Sequence, residues 1–157
     1  MNFSMRARRV LLVCLLLTAS ALAADALSAG SIPSTTGDFF SLTPCRVYDS
    51  RQALNLLHSG MDLLVPFYGV CGVPSTARAV SINLTVLGPS SAGDLTVYPA
   101  NFPNPGISTI YFDFRELLSN HAVLLLSTNG TGSLRVTPFI FGNGTSGFVV
   151  DIDGYFE

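Results

Sequence analysis

Lysine and tryptophan are absent from this 157-residue chain, and histidine occurs only twice. Charged residues make up 11% of it, where ordinary soluble proteins carry roughly 25%. The eight basic residues are all arginines, and the net charge is −2. The chain therefore has no basic stripe to grip nucleic-acid phosphates and no cationic patch for anionic lipid. Without tryptophan, a ring often used for stacking on sugars is missing. Neither His58 nor His121 has a Cys, His or Glu at metal-ligand spacing, so no zinc site is expected. There is no G-x-S-x-G and no phosphate-cradling glycine loop, and no cofactor is expected. No apolar run reaches the length of about 20 residues that a helical membrane span needs.

The longest apolar run, Val10–Leu17, follows Arg6, Arg8 and Arg9 and precedes a small-residue stretch. Ala21-Leu22-Ala23 and Ala19-Ser20-Ala21 both fit an A-x-A cleavage site. Cys14 lies inside the run behind Val13, which does not suit a lipoprotein anchor. The expected organisation is a signal peptide over 1–23, a flexible leader over 24–37 and a single domain over 38–157. Cleavage after Ala23 removes three arginines and no acid, so the net charge falls from −2 to −5. The mature chain is expected outside the cell or at its surface, with no membrane span. Two cysteines remain, Cys45 and Cys71. In an oxidising compartment they most simply pair with each other, the alternative being two buried free thiols.

The hydrophobic pattern of the domain has a period of two. In Ala79–Ala100, Val80, Ile82, Leu84 and Val86 alternate with Ser81, Asn83 and Thr85. Successive strand side chains point to opposite faces, so this is a strand with one buried face. Breakers over Gly88–Gly93 precede Leu95 and Val97, which predicts a hairpin at the centre of an all-β core. Further strands are expected over 38–43, 62–68, 107–114, 121–128, 133–139 and 147–156. His121–Thr128 is apolar on both faces and reads as a central strand. Gln52–Gly60 reads as loop with at most one helical turn. Three prolines in Pro99–Gly106 predict a crossing to another sheet, and Asn129-Gly130 predicts a tight hairpin. Eight or nine short strands without helical periodicity mean an antiparallel β-sandwich, with a jelly-roll or other Greek-key order.

Several motifs then stand out in order. They are Thr43-Pro44-Cys45-Arg46-Val47-Tyr48-Asp49-Ser50-Arg51, Cys71-Gly72-Val73-Pro74, Asn83-Leu84-Thr85-Val86, Val97-Tyr98-Pro99-Ala100, Ser119-Asn120, and Val150-Asp151 with Gly154-Tyr155-Phe156. Together they resemble a β-rich domain of secreted bacterial proteins with a "TPCRxxDTR … CGVP … NVTV … VYPA … GYF" signature. Ser50 stands where that signature has Thr. The resemblance spans about Phe39 to Phe156. It implies a secreted module, alone or appended to larger surface proteins, and brings no catalytic residues.

The densest charges are Arg46, Asp49 and Arg51 near one end of the domain, and Asp151 and Asp153 near the other. Asp151 and Asp153 lie two apart on one strand and share a face. Such a pair can do acid–base work on glycosides or hold Ca²⁺. Pairing with Arg46 or Arg51 is the structural alternative, since guanidinium and carboxylate match as bidentate forks. A Ser-His-Asp site assembled from distant positions stays open, because such triads are defined by geometry. Tyr48, Tyr68, Tyr98, Tyr111 and Tyr155 are candidates for sugar stacking. Asn83, Asn129 and Asn143 begin N-x-[ST] triplets, which matter only in a eukaryotic secretory route. The expected function is a non-catalytic structural or adhesive module that contacts an extracellular protein or cell-surface polymer. A carbohydrate-binding module and a small glycoside-type hydrolase using the Asp carboxylates are the alternatives.

Overall fold

The computed structural model describes residues 37–157, so the expected signal peptide and all but the last residue of the leader lie outside the described residues. Nine strands follow in order. They are β1 (Phe39–Asp49), β2 (Leu57–His58), β3 (Leu63–Pro66), β4 (Ala79–Leu87), β5 (Gly93–Pro99), β6 (Ile110–Phe112), β7 (Leu117–Leu125), β8 (Ser133–Ile140) and β9 (Thr145–Phe156). One sheet runs β1-β9-β4-β7, with β2 pairing β9 off that path; the other runs β3-β8-β5-β6. All these pairings are antiparallel.

The order is that of a jelly roll. With the two-residue β2 set aside, the other eight strands pair outermost with outermost: β1 with β9, β3 with β8, β4 with β7 and β5 with β6. This is one long antiparallel ladder, rolled up so that β9 also meets β4 and β8 also meets β5. Rolling brings the apolar faces together. Val80, Ile82, Leu84 and Val86 of β4 and Phe148, Val150 and Ile152 of β9 share a buried core with Leu95 and Val97 of β5 and Leu134, Val136 and Ile140 of β8. Gly93 marks a very close approach. A Cβ there would run into the Phe139 carbonyl oxygen and the Ile140 backbone, so the β5–β8 contact is built around its absence.

The roll overturns the sequence reading of the connections. Ala79–Ala100 is not a hairpin, because β4 and β5 lie in different sheets and the Gly88–Ala92 link crosses the sandwich. The Asn129-Gly130 turn likewise crosses, from β7 to β8. The proline-rich stretch does the reverse: it joins β5 and β6, neighbours in one sheet. Packed sheets stand only about 10 Å apart, so a few residues suffice to cross between them. β7 is an edge strand rather than a central one, and it begins at Leu117. Its second apolar face is turned to solvent, with Leu117 70%, Val123 55% and Leu125 65% exposed. Phe39–Asp49 forms one strand through Pro44, which falls at an irregularity in the β1–β9 register. Leu57, expected in a loop, is fully buried through the short β2–β9 pairing.

Candidate functional site: the polar face of the β1-β9-β4-β7 sheet

The register of this sheet places one polar residue from each long strand in a row. Arg46 stands opposite Asp151, Asp151 opposite Asn83, and Asn83 opposite His121. Their neighbours Ile82, Leu84, Val150 and Ile152 point into the core, so strand alternation turns this row outward.

Arg46 holds Asp151 bidentately, with Nε donating to Oδ1 at 2.9 Å and Nη2 to Oδ2 at 3.1 Å. Its Nη1 also reaches Asp49 Oδ2 at 3.5 Å. Arg51 does not reach Asp151 or Asp153; it folds back onto Asp49 instead. Nε donates to Asp49 Oδ1 at 2.9 Å, Nη2 to Oδ2 at 2.7 Å, and the Arg51 backbone N–H to Oδ1 at 3.0 Å. Asp49 is buried, and with these donors, Arg51 first, its pKa is held down to about 2. Ser50 is fully buried: its Oγ accepts from the Phe148 N–H at 2.8 Å, and its own N–H donates to the Phe148 carbonyl at 2.9 Å. The Asp49–Arg51 corner thus locks the end of β1 onto β9. Tyr48 beside it is left with a buried hydroxyl that has no partner among the described residues; burial, then Asp49, pushes its pKa up.

Asp153 takes a partner that the sequence reading passed over. His121 Nε2 lies 3.1 Å from Asp153 Oδ2, and the same Nε2 lies 3.1 Å from Ser81 Oγ. The Ser81 hydroxyl and then the His121 ring hold the Asp153 carboxyl below the usual carboxylate range, against the opposing effect of burial. Three residue types of a hydrolytic triad therefore meet, but the wiring differs. In a working triad one ring nitrogen faces the serine and the other faces the acid, so that the ring can take the serine proton. Here serine and aspartate share one nitrogen. Its N–H is needed by the ionised Asp153, which can only accept, so it is not free to act as base on Ser81.

The carboxylates are equally ill-suited to glycoside chemistry. The acid member of such a pair needs a raised pKa. Asp153 is shifted the other way, and Asp151 is engaged by Arg46. No group of three or more metal-ligating side chains is found among the described residues. Cys45 and Cys71 form a disulfide with a Cα–Cα distance of 5.9 Å, tying β1 to the turn that precedes β4. The five tyrosines do not form one platform. Tyr48 and Tyr155 belong to one sheet, Tyr98 and Tyr111 to the other, and Tyr68 donates its hydroxyl to the Ala77 carbonyl at 2.9 Å. Of the five, only Tyr111 is largely exposed.

The sheets also differ in how their edges are finished. An open strand edge offers unpaired N–H and C=O groups to any other chain. β1 carries Pro44, Arg46 and two register irregularities; β3 ends at Pro66; β6 has three residues. β7 has none of these devices. It pairs with β4 over nine consecutive residues without a bulge, contains no Pro, Lys, Arg, Asp or Glu, and displays Leu117, Val123 and Leu125.

No family model and no curated protein matches the chain. Among solved structures, the Tobacco streak virus coat protein dimer is similar at a TM-score of 0.40 and 8% identity, over 75% of this chain and 85% of that one. Tobacco streak virus coat protein in a second crystal form is similar at a TM-score of 0.38 and 11% identity, over 76% and 88%. Likeness at this level says nothing about what the chain does, and the jelly-roll description stands on the strand order alone.

Proposed function

We propose that this chain is a non-catalytic, exported interaction module, and that it engages an extended segment of a partner polypeptide along the β7 edge. The carrying observation is the contrast between β7 and the three shielded edges. A nine-residue regular edge with outward leucines and valine suits strand addition, in which main-chain hydrogen bonds supply affinity and alternate side chains supply specificity. The disulfide, the signal-like N-terminal sequence and the resemblance to secreted bacterial domains support an extracellular setting. The shared His121 nitrogen and the engaged carboxylates favour binding over hydrolysis.

The test is a photo-crosslinking amino acid at Val123 in the exported full-length chain, with the same group at Asn143 as control. An adduct with another polypeptide from Val123 alone, lost in a Leu117→Lys/Leu125→Lys variant, supports the reading. Adducts joining two copies of the chain would make the partner a second copy. No adduct from Val123, or equal adducts from both positions, overturns it.

A further inference from the structure

We propose that the outer face of the β3-β8-β5-β6 sheet binds a neutral oligosaccharide, with one sugar ring seated in a hollow beside Phe102. This goes beyond the β7 reading: most of its residues lie on the other sheet, and Phe102 stands where that sheet's loop meets the end of β7 at Leu125. Leu134, Val136 and Ile140 of β8 point into the core, so Arg135, Thr137 and Phe139 point outward. On β5, Leu95 and Val97 point inward, and Asp94, Thr96 and Tyr98 point outward. Tyr98 is nonetheless only 7% exposed, and it borders one hollow with Phe102 and Asn104 of the proline-rich β5–β6 loop. Between loop and sheet lies a hollow of about 590 Å³ lined by Asp62, Tyr98, Phe102, Asn104, Arg135 and Thr137, among others. It is a shallow depression wide open to solvent, which suits a sugar ring lying on the surface rather than a ligand enclosed by the protein.

The loop wall is braced. Asn101 Nδ2 donates to Thr128 Oγ1 at 3.0 Å, and the Thr128 N–H returns to Asn101 Oδ1 at 3.2 Å. Asn104 Oδ1 accepts the Gly106 N–H at 2.8 Å, and Pro103 and Pro105 stiffen the segment between. A braced wall carries little ordering cost on binding. The floor carries polar groups already oriented by one another: Arg135 Nη1 donates to Asp62 Oδ2, and the Tyr98 and Thr137 hydroxyls lie 3.2 Å apart. Only Nη1 of the Arg135 guanidinium has a partner among the described residues, which leaves donors for sugar hydroxyls.

Beyond the hollow, the same face becomes aromatic. Phe139 is 52% exposed and Phe141 60%, packed edge to face at 5.1 Å between centroids. Tyr111, 69% exposed, stands opposite Asp94, whose other neighbour is Phe139. From Arg135 to Phe139 is about 13 Å of strand, the length of a short oligosaccharide. Polar groups followed by exposed aromatic rings are what a sugar chain needs, its hydroxyls meeting the first and its C–H groups the second. The charge argues for a neutral one. Asp62 and Arg135 offset each other, while Asp94, bound by the Ser108 hydroxyl at 2.6 Å, adds negative charge along the path. The sequence reading looked for tyrosines on one sheet; phenylalanines and Tyr111 occupy that place.

The experiment applies the exported full-length chain to arrayed neutral oligosaccharides built from glucose, mannose, galactose and N-acetylglucosamine, with sialylated and uronic-acid glycans as a second arm. Retention of a neutral glycan is expected, with Phe102→Ala and Phe139→Ala each weakening it about tenfold and Gln52→Ala, at an exposed position, leaving it unchanged. Both phenylalanines are largely exposed, so unchanged melting of the variants separates lost binding from lost folding. Amide shifts on titrating the retained glycan should map to 98–104 and 135–141. Retention of acidic glycans only, no retention, or wild-type affinity in both variants overturns the proposal.

Discussion

Arg46 and Asp151 are 105 residues apart in sequence and directly opposite one another in the β1–β9 ladder, joined by two charge-assisted hydrogen bonds. Their pairing joins the first strand of the domain to the last. Arg51 was the other candidate for that role, and it is Asp49's partner instead.

The two arginines should therefore differ. Arg46 and Asp151 are both partly exposed, and exposed pairs contribute little because water screens them. Asp49 is buried and holds Arg51 through both oxygens. Arg51→Ala is expected to lower the melting temperature more than Arg46→Ala, and Arg51→Ala/Asp49→Asn to recover part of the loss. A double-mutant cycle by thermal melting measures this. Equal effects of the two single variants would contradict it.

Asp49 also sets an acid response. Its folded pKa, about 2, lies below the ordinary value of 3.8. A depressed carboxylate contributes stability above its unfolded pKa, and that contribution is lost as pH falls through the folded value. Stability should thus decline between about pH 4 and about pH 2, with Asp153, also depressed, adding to the loss. Denaturant titrations across that range should show a shallower decline in Asp49→Asn than in the wild type.

The disulfide spans 26 residues of sequence. In the chain-entropy picture, closing such a loop stabilises by roughly 3 kcal/mol. Cys45→Ser/Cys71→Ser is expected to melt about 10 °C lower than the wild type. Intact protein should bind no thiol reagent at these two positions without reductant, as mass spectrometry would read directly.

Gly93→Ala tests the closest backbone approach in the second sheet. The added methyl meets backbone atoms of Phe139 and Ile140, which cannot rotate aside as a side chain would. A loss of about 2–4 kcal/mol is expected by urea unfolding, against a much smaller change for Gly142→Asn, at an exposed position with open space around it and a positive φ that Asn tolerates.

What the sequence by itself determined follows from local rules. Alternation in Val80–Val86 set one face inward wherever the strand was placed, so class and core were readable before any pairing was known. The disulfide followed from having two cysteines in the chain after the signal-like segment, and an Arg–Asp pair between the first and last strands from scarce charges of opposite sign, without saying which arginine meets which aspartate. Only the tertiary structure decided which strands are neighbours. A turn of a few residues can close a hairpin or cross a sandwich, and its sequence does not say which, so the hairpins expected at Gly88–Ala92 and Asn129-Gly130 are crossings, and β7, expected at the centre, is an edge. The same rolling joined Ser81, His121 and Asp153 from three strands, gave Asp153 an imidazole partner, and gathered Phe102, Tyr111 and Phe139 onto one face. Those groupings depend on register between strands distant in sequence, which is settled by how the whole apolar surface closes and not by any one stretch of it.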